Sequence, residues 1–217
     1  MLCFYDINED GDVPTTYLFS LDDVGAEHVI LFEGERKFDD PSQNSEVTWV
    51  WIWDNWVMYS AVSGGTFHLY GYDTQTGETK TLVEDWDIRG TVTVLDNNFY
   101  WYMPDEGLHC TNMETWADEL IAIEPPADGE FIPYMDDKYI YLLPSDETQD
   151  RAIYSYDGKQ LQTLPADTQG RALVYAMSTP EYVFFIESAA DTCEPVCYLE
   201  KSAIANGMAE YIPLEHE

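Results

Sequence analysis

A strand–turn–strand pattern recurs along this chain of 217 residues at nearly constant spacing. In each copy an apolar run meets a two-residue polar turn, and a strand rich in aromatic and β-branched residues follows. These second strands are predicted to begin at residues 56, 99, 139 and 182, which are 43, 40 and 43 positions apart. Because a fixed period in sequence indicates a repeated unit of structure, the chain is predicted to fold as an array of similar units.

A second hairpin pattern lies between the copies of the first. Two of its turns are Asp73–Gly77 and Asp157-Gly158. Such residues suit tight turns because glycine accepts positive φ and aspartate caps the turn with its own side chain. Two hairpins per repeat make a four-stranded antiparallel unit of about 40 to 45 residues, which is the period of a β-propeller blade.

We therefore predict an all-β fold, a β-propeller of four-stranded antiparallel blades, forming a single domain over residues 1–217. The blade-like repeats are assigned to residues 1–45, 46–85, 86–125, 126–166 and 167–217. The first repeat lacks a candidate for its innermost strand, so we expect five blades with an incomplete first one; a fragment of a longer propeller is the alternative. Weak helical signals at 114–120 and 202–210 are interpreted as turns.

Composition excludes several classes of function. The chain has 42 acidic and 9 basic residues, and its formal net charge is −33. Proteins that bind nucleic acids need clustered cations, so no nucleic-acid partner is expected. The longest apolar runs are well short of the roughly 20 residues that cross a bilayer, so no membrane insertion is expected. A hydrophobic content of 45% with 15% aromatic residues predicts a folded chain despite the acidity.

The repeats "FHLYGYDTQTGETKTL" and "TVTVLDNNFYWY" resemble those of TolB-like and quinoprotein-like β-propellers. They are also similar to bacterial propeller domains of unknown function related to the YWTD-type propellers of lipoprotein receptors. The resemblance covers residues 17 to 214, and it implies extracytoplasmic sensing, scaffolding or binding more often than catalysis. An extracytoplasmic or cell-surface location is therefore expected. Since the chain begins without the features of a signal peptide, a cytoplasmic location is the alternative.

Three tryptophans alternate along one predicted strand. By the two-residue period of a strand, Trp49, Trp51 and Trp53 lie on one face. If that face is exposed, the indoles can stack on sugars or on the apolar groups of a partner. If it lies between blades, they fill the gap between two sheets, which is the favoured interpretation.

The segment with Asp6, Asn8, Asp10 and Asp12 matches the opening of a calcium-binding loop. The match fails at the twelfth position, where Tyr17 stands in place of glutamate, so a solvated acidic turn is favoured and calcium is the one candidate cofactor. His68 and His109 occupy equivalent places in successive repeats, and strand histidines are favoured there over a zinc site.

No P-loop, dinucleotide-binding fingerprint, nucleophile elbow or metalloprotease motif occurs. We therefore predict a non-enzymatic binding or scaffolding module with a protein or carbohydrate partner, and we assign no catalytic residue and no oligomeric state. The alternative is a small five-bladed glycoside hydrolase, which would need two or three carboxylates arranged around a substrate channel.

Overall fold

The structure is a computed structural model of the chain. It describes residues 2–7, 14–19, 29–35, 45–53, 55–63, 65–86, 91–103, 106–126, 128–146, 148–166, 173–187 and 194–214. Asn8, Asp10 and Asp12 lie outside these residues, and Asp6 is described only as part of a strand. The candidate calcium loop therefore stays a prediction.

Antiparallel strands make up nearly all of the regular structure. They are β1 (Leu2–Ile7), β2 (Pro14–Phe19), β3 (Val29–Glu33), β4 (Glu46–Trp53), β5 (Trp56–Ser63), β6 (Thr66–Asp73), β7 (Thr79–Val83), β8 (Thr93–Leu95), β9 (Asn98–Met103), β10 (Gly107–Asn112), β11 (Asp118–Ile121), β12 (Phe131–Met135), β13 (Ile140–Pro144), β14 (Arg151–Tyr154), β15 (Gln160–Leu164), β16 (Leu173–Ser178), β17 (Tyr182–Glu187), β18 (Cys197–Glu200) and β19 (Ile212–Pro213). One short helix, α1 (Lys201–Ile204), follows β18.

In the part of the chain that the structure describes, the strands form five sheets in which neighbours in sequence are hydrogen-bonded neighbours in space. Sheet 1 contains β1–β3, and sheets 2 to 5 each contain four strands: β4–β7, β8–β11, β12–β15 and β16–β19. The predicted fold class, an all-β propeller with four-stranded antiparallel blades, is confirmed. Among the described residues sheet 1 has three strands, and the incomplete first blade stays a prediction. The total of five blades and the single domain stay predictions.

The repeat predicted the strand positions closely, with one error of type. The strands predicted to begin at 56, 99, 139 and 182 begin at 56, 98, 140 and 182. In the segment 202–210, predicted as a turn, residues 202–204 belong to a turn of helix that starts at Lys201, and residues 205–207 form a turn. Ser202–Ile204 can extend this helix because the backbone N–H of Lys201 is already satisfied by the carbonyl of Glu181, 2.8 Å away.

The chain divides into two compact units, and the first comprises residues 1–88. It contains sheets 1 and 2, whose facing sides share a core of Leu18, Leu31, Val57 and Tyr59. The hydroxyl of Tyr59 donates to the carbonyl of Leu31 at 2.9 Å, so the buried phenol is satisfied by the neighbouring sheet. Burial is the main cause that raises the pKa of Tyr59 to about 12.

The second unit, residues 89–217, contains sheets 3, 4 and 5 with a core on each side of sheet 4. Successive residues of β13 point to opposite faces: Ile140 and Leu142 join the core shared with sheet 3, whereas Tyr141 and Leu143 join the core shared with sheet 5. All four are buried, so the continuous apolar run in β13 reflects a sheet that is covered on both faces.

Candidate functional site

The three alternating tryptophans form a ladder on β4, an edge strand of sheet 2. The ring centroids of Trp49 and Trp51 are 6.4 Å apart with an interplanar angle of 15°, and those of Trp51 and Trp53 are 6.3 Å apart with an angle of 18°. Trp51 also contacts Trp86, whose ring centroid is 6.2 Å away and tilted by 57°. We call Trp49, Trp51 and Trp53 the tryptophan ladder.

The ladder has a packed part and an open part. Trp51 pairs with Met58 on β5 and packs against Trp86, and both of these neighbours are buried. Trp49 is 54% exposed, although it pairs with the buried Ser60. A register shift between Val47 and Trp49 marks a bulge at the start of the ladder. Packing therefore holds the middle indole, while a large part of the Trp49 indole is open to solvent.

Trp86 was not singled out by the sequence analysis. It follows β7, and its backbone N–H donates to the carbonyl of Phe67 at 2.8 Å. Its side chain is 4% exposed, and its buried indole nitrogen has no hydrogen-bond partner among the described residues. An unsatisfied buried donor is unfavourable, so the site depends on the surrounding aromatic contacts for its stability.

A groove in the second unit, about 530 Å³ in volume, was also not predicted from the sequence. It lies where the β12–β13 turn of sheet 4 meets the β16–β17 turn and α1 of sheet 5. We call it the Lys201 groove. Its lining residues are Lys138, Tyr139, Pro180, Glu181, Tyr182, Glu200, Lys201, Ser202 and Ala205.

A buried ion pair includes Lys201 of the groove lining. The Nζ of Lys201 lies 2.8 Å from Oδ2 of Asp136 and 2.5 Å from Oδ1 of Asp137. The same Asp136 oxygen accepts a hydrogen bond from the hydroxyl of Tyr141 at 2.8 Å. Burial by itself lowers the pKa of Lys201, but the hydrogen bonds and charges of the two carboxylates outweigh it and raise the pKa above the ordinary value. Lys201 is therefore charged at neutral pH.

The second oxygen of Asp136 orders the β12–β13 turn. It accepts the backbone N–H groups of Lys138 at 2.8 Å and Tyr139 at 2.9 Å. The hydroxyl of Tyr139 then donates to the carbonyl of Lys201 at 3.3 Å. On the other side of the groove the Nζ of Lys138 donates to the carbonyl of Pro180 at 3.0 Å. These contacts hold the two walls in a defined geometry.

The rim of the groove is aromatic and acidic. Tyr182 is 38% exposed and pairs across the strands with Glu200. Its ring is nearly perpendicular to that of Tyr198, with centroids 5.3 Å apart. In the part of the chain that the structure describes, the side chains of Glu181 and Glu200 make no hydrogen bond or ion pair. The sequence signal for this groove is the repeat itself, since Asp137-Lys138 and Pro180-Glu181 are equivalent turns of successive repeats.

His109 belongs to a network within sheet 3. Its Nδ1 lies 2.7 Å from Oδ2 of Asp118, and its ring stacks on Trp101 at a centroid distance of 3.9 Å. The indole N–H of Trp101 donates to Oγ1 of Thr111 at 3.0 Å, and that hydroxyl donates to Oδ1 of Asp118 at 2.8 Å. Nε2 of His109 lies 3.3 Å from Oε2 of Glu106. Because hydrogen bonds and ring stacking connect these side chains across three strands, the arrangement stabilises the blade.

His68 is placed differently from His109. It lies in the first unit, where its ring is tilted against Tyr70 at a centroid distance of 6.2 Å. Across the described ranges no three histidine, cysteine or acidic side chains converge in a way that could hold a metal ion. The described part of the chain also contains no helix with the length and apolar character needed to cross a membrane.

Comparisons with known proteins agree on the fold. No protein-family model matches the chain, and no curated protein matches it. A structure of the N-terminal domain of Nup159 matches with a TM-score of 0.54 and 11% identity, covering 97% of this chain and 60% of the other. A chain of the S. cerevisiae complex of Dbp5 with Nup159, Gle1, IP6 and ADP matches with a TM-score of 0.52 and 12% identity, covering 97% and 60%.

Hsv2 of Kluyveromyces lactis matches with a TM-score of 0.51 and 7% identity, covering 98% of this chain and 63% of the other. The chain therefore spans about 60% of the length of the structures that it resembles. At identities this low the comparisons show a shared β-propeller fold alone, because one fold hosts many unrelated functions.

Proposed function

We propose that this chain is a non-enzymatic β-propeller that binds or scaffolds a protein partner through a basic surface of that partner. The observation that carries the proposal is the half-open tryptophan ladder, in which Trp49 is 54% exposed. Tryptophan is enriched among the residues that dominate binding energy at protein interfaces. Its ring face is also the most favourable aromatic surface for a lysine or arginine cation.

The charge of the chain supports a basic partner. A formal net charge of −33 attracts cationic surfaces and repels nucleic acids and anionic membranes. Such attraction mainly increases the association rate, whereas a fixed aromatic contact slows dissociation. The packing of Trp51 against Trp86 holds the ladder in place before binding, which reduces the entropy lost on association.

One structural neighbour is known in a protein complex, since Dbp5 was solved bound to Nup159. By analogy of fold we propose that this chain also binds a protein. The resemblance of its repeats is the only ground on which we propose a location outside the bacterial cytoplasm. A carbohydrate is the second candidate ligand, because sugars stack on exposed indoles as cations do. The tryptophan ladder favours both classes, and the net charge favours the basic protein.

The test compares Trp49→Ala with Ile52→Ala, a control on the same strand whose side chain is also exposed. Binding of a lysine- and arginine-rich peptide and of a neutral hexasaccharide is followed by tryptophan fluorescence and calorimetry at two salt concentrations. We expect salt-sensitive binding of the peptide that Trp49→Ala weakens about tenfold or more and Ile52→Ala leaves unchanged. Binding of the hexasaccharide alone, or peptide binding that is insensitive to Trp49→Ala, would overturn the proposal.

A further inference from the structure

We infer that the Lys201 groove of the second unit binds a cationic side chain, a lysine or arginine of a basic polypeptide. This inference rests on the proposed function only in taking the partner to be basic. The groove itself is described by its own contacts, independently of the tryptophan ladder.

The two lysines of the groove do not make it a site for anions. The side chain of Lys201 is 2% exposed, and its Nζ contacts Asp136 and Asp137. Lys138 is directed to the carbonyl of Pro180 across the groove. An anionic ligand would have to compete with these contacts, and it would meet the carboxylates of Glu181 and Glu200.

The groove and the two carboxylates that contact Lys201 together carry a negative charge. The lining has two lysines and two glutamates, Lys138, Lys201, Glu181 and Glu200. With Asp136 and Asp137, which lie outside the lining, the six side chains have a net charge of −2. Asp136 and Asp137 are paired with Lys201. Glu181 and Glu200 are the two carboxylates of the lining that are left without an ion pair among the described residues. Lys138 also has no ion pair among the described residues and offsets one of these two charges, so the charge that remains at the rim is negative.

Tyr182 gives the groove an aromatic wall. Tyr182 and Glu200 are directly paired across β17 and β18, and such pairs bring the Cβ atoms to about 4.5–5.5 Å. The perpendicular ring of Tyr198 and the nearby ring of Phe184 support Tyr182 from its own sheet. A ring face beside a carboxylate provides both contacts that a cation uses, a cation–π contact and a charge-assisted hydrogen bond.

The groove is large enough to hold a single side chain. A volume of about 530 Å³ lies within the range of roughly 300–1,000 Å³ that is usual for small-ligand sites. This space accommodates one long side chain with its flanking backbone. A neutral side chain would leave the two carboxylates without a counter-charge, so the groove discriminates by charge more than by shape.

The test uses three capped pentapeptides, Ac-GGKGG-NH₂, Ac-GGQGG-NH₂ and Ac-GGEGG-NH₂, titrated into the full chain and followed by two-dimensional NMR. We expect the lysine peptide to shift the resonances of Tyr182 and Glu200, and the other two peptides to leave them unchanged. The double variant Glu181→Gln/Glu200→Gln should weaken lysine-peptide binding about fivefold. Glu210→Gln, an exposed acid outside the groove lining, is the matched control and should bind as the parent chain does.

The outcomes separate this inference from the proposed function. If the glutamine peptide or the acidic peptide shifts the same resonances, or if the double variant binds the lysine peptide as tightly as the parent, the inference about the groove is wrong. If the lysine peptide shifts only the tryptophan ladder, the groove inference fails while the proposed function stands. If Trp49→Ala leaves basic-peptide binding intact while the groove variants weaken it, the proposed role of the ladder fails and the groove inference stands.

Discussion

The Nζ of Lys201 lies 2.8 Å from Oδ2 of Asp136, and both side chains are 2% exposed. Lys201 follows the third strand of sheet 5, whereas Asp136 follows the first strand of sheet 4. The ion pair therefore connects two neighbouring blades of the second unit. Removing one partner of such a pair leaves a buried charge without compensation, which is far less favourable than losing an exposed pair.

Asp136→Asn should lower the free energy of unfolding by about 3–5 kcal/mol, because Lys201 then keeps only the contact with Asp137. Asp137→Asn is the matched control. The carboxylate of Asp137 is 53% exposed, so its loss should lower stability by at most about 1 kcal/mol. Urea denaturation of the three proteins measures both effects, and equal losses for the two variants would contradict this account of the pair.

Stability should fall as the pH rises above about 10. Burial and the charge of Asp136 raise the pKa of Tyr141 and Tyr156 above the ordinary value of 10.0, and the pKa of Lys201 is raised above 10.5. The folded state therefore keeps these protons after the unfolded state has lost them. The contribution of these three groups to the free energy of unfolding is fully present below about pH 10, and it is lost as the pH rises through their raised pKa values. Urea midpoints at several alkaline pH values measure the loss, and Tyr141→Phe should make it shallower; an unchanged or rising midpoint would disprove it.

Thr111→Val should destabilise sheet 3 by about 1–3 kcal/mol, because it removes the hydroxyl that joins Trp101 to Asp118. Trp101 is buried, so its indole N–H would be left without a partner. Thr111→Ser keeps the hydroxyl, so its loss of stability should be less than half that of Thr111→Val. Thermal and urea unfolding distinguish the two variants. A valine variant as stable as the serine variant would show that the network adds nothing to stability.

Gly158→Ala should be much more destabilising than Gly77→Ala. Both glycines occupy hairpin turns at positive φ, +81° and +74°, so both substitutions incur a backbone cost of about 1–2 kcal/mol. A Cβ at Gly158 would also lie 2.5 Å from the carbonyl oxygen of Ala122, the residue that follows β11 of sheet 3. At Gly77 the nearest atom, the hydroxyl of Tyr72, is 4.0 Å away. The clash should add about 1–3 kcal/mol at Gly158, as measured by urea denaturation, and similar losses at both positions would contradict the close approach of the two sheets.

Local sequence patterns predicted the strands well because strand pairing through short turns depends on neighbouring residues. Trp56 begins β5 as predicted, and the two-residue period correctly places Trp49, Trp51 and Trp53 along one face. The same local information left the environment of that face open. Only the coordinates show that Trp51 rests on Trp86 while much of Trp49 is in contact with solvent.

The sequence by itself determined the repeat, the antiparallel hairpins and the acidic surface, since alternation, turn residues and charge are properties of short segments. The tertiary structure alone decided which basic residues are buried, Arg151 and Lys201 among the described ones, and what surrounds them. Lys201 and Asp137 are 64 positions apart, and they meet because sheets 4 and 5 pack face to face. A contact between residues so far apart in sequence depends on how whole sheets pack, and no local pattern of residues encodes it.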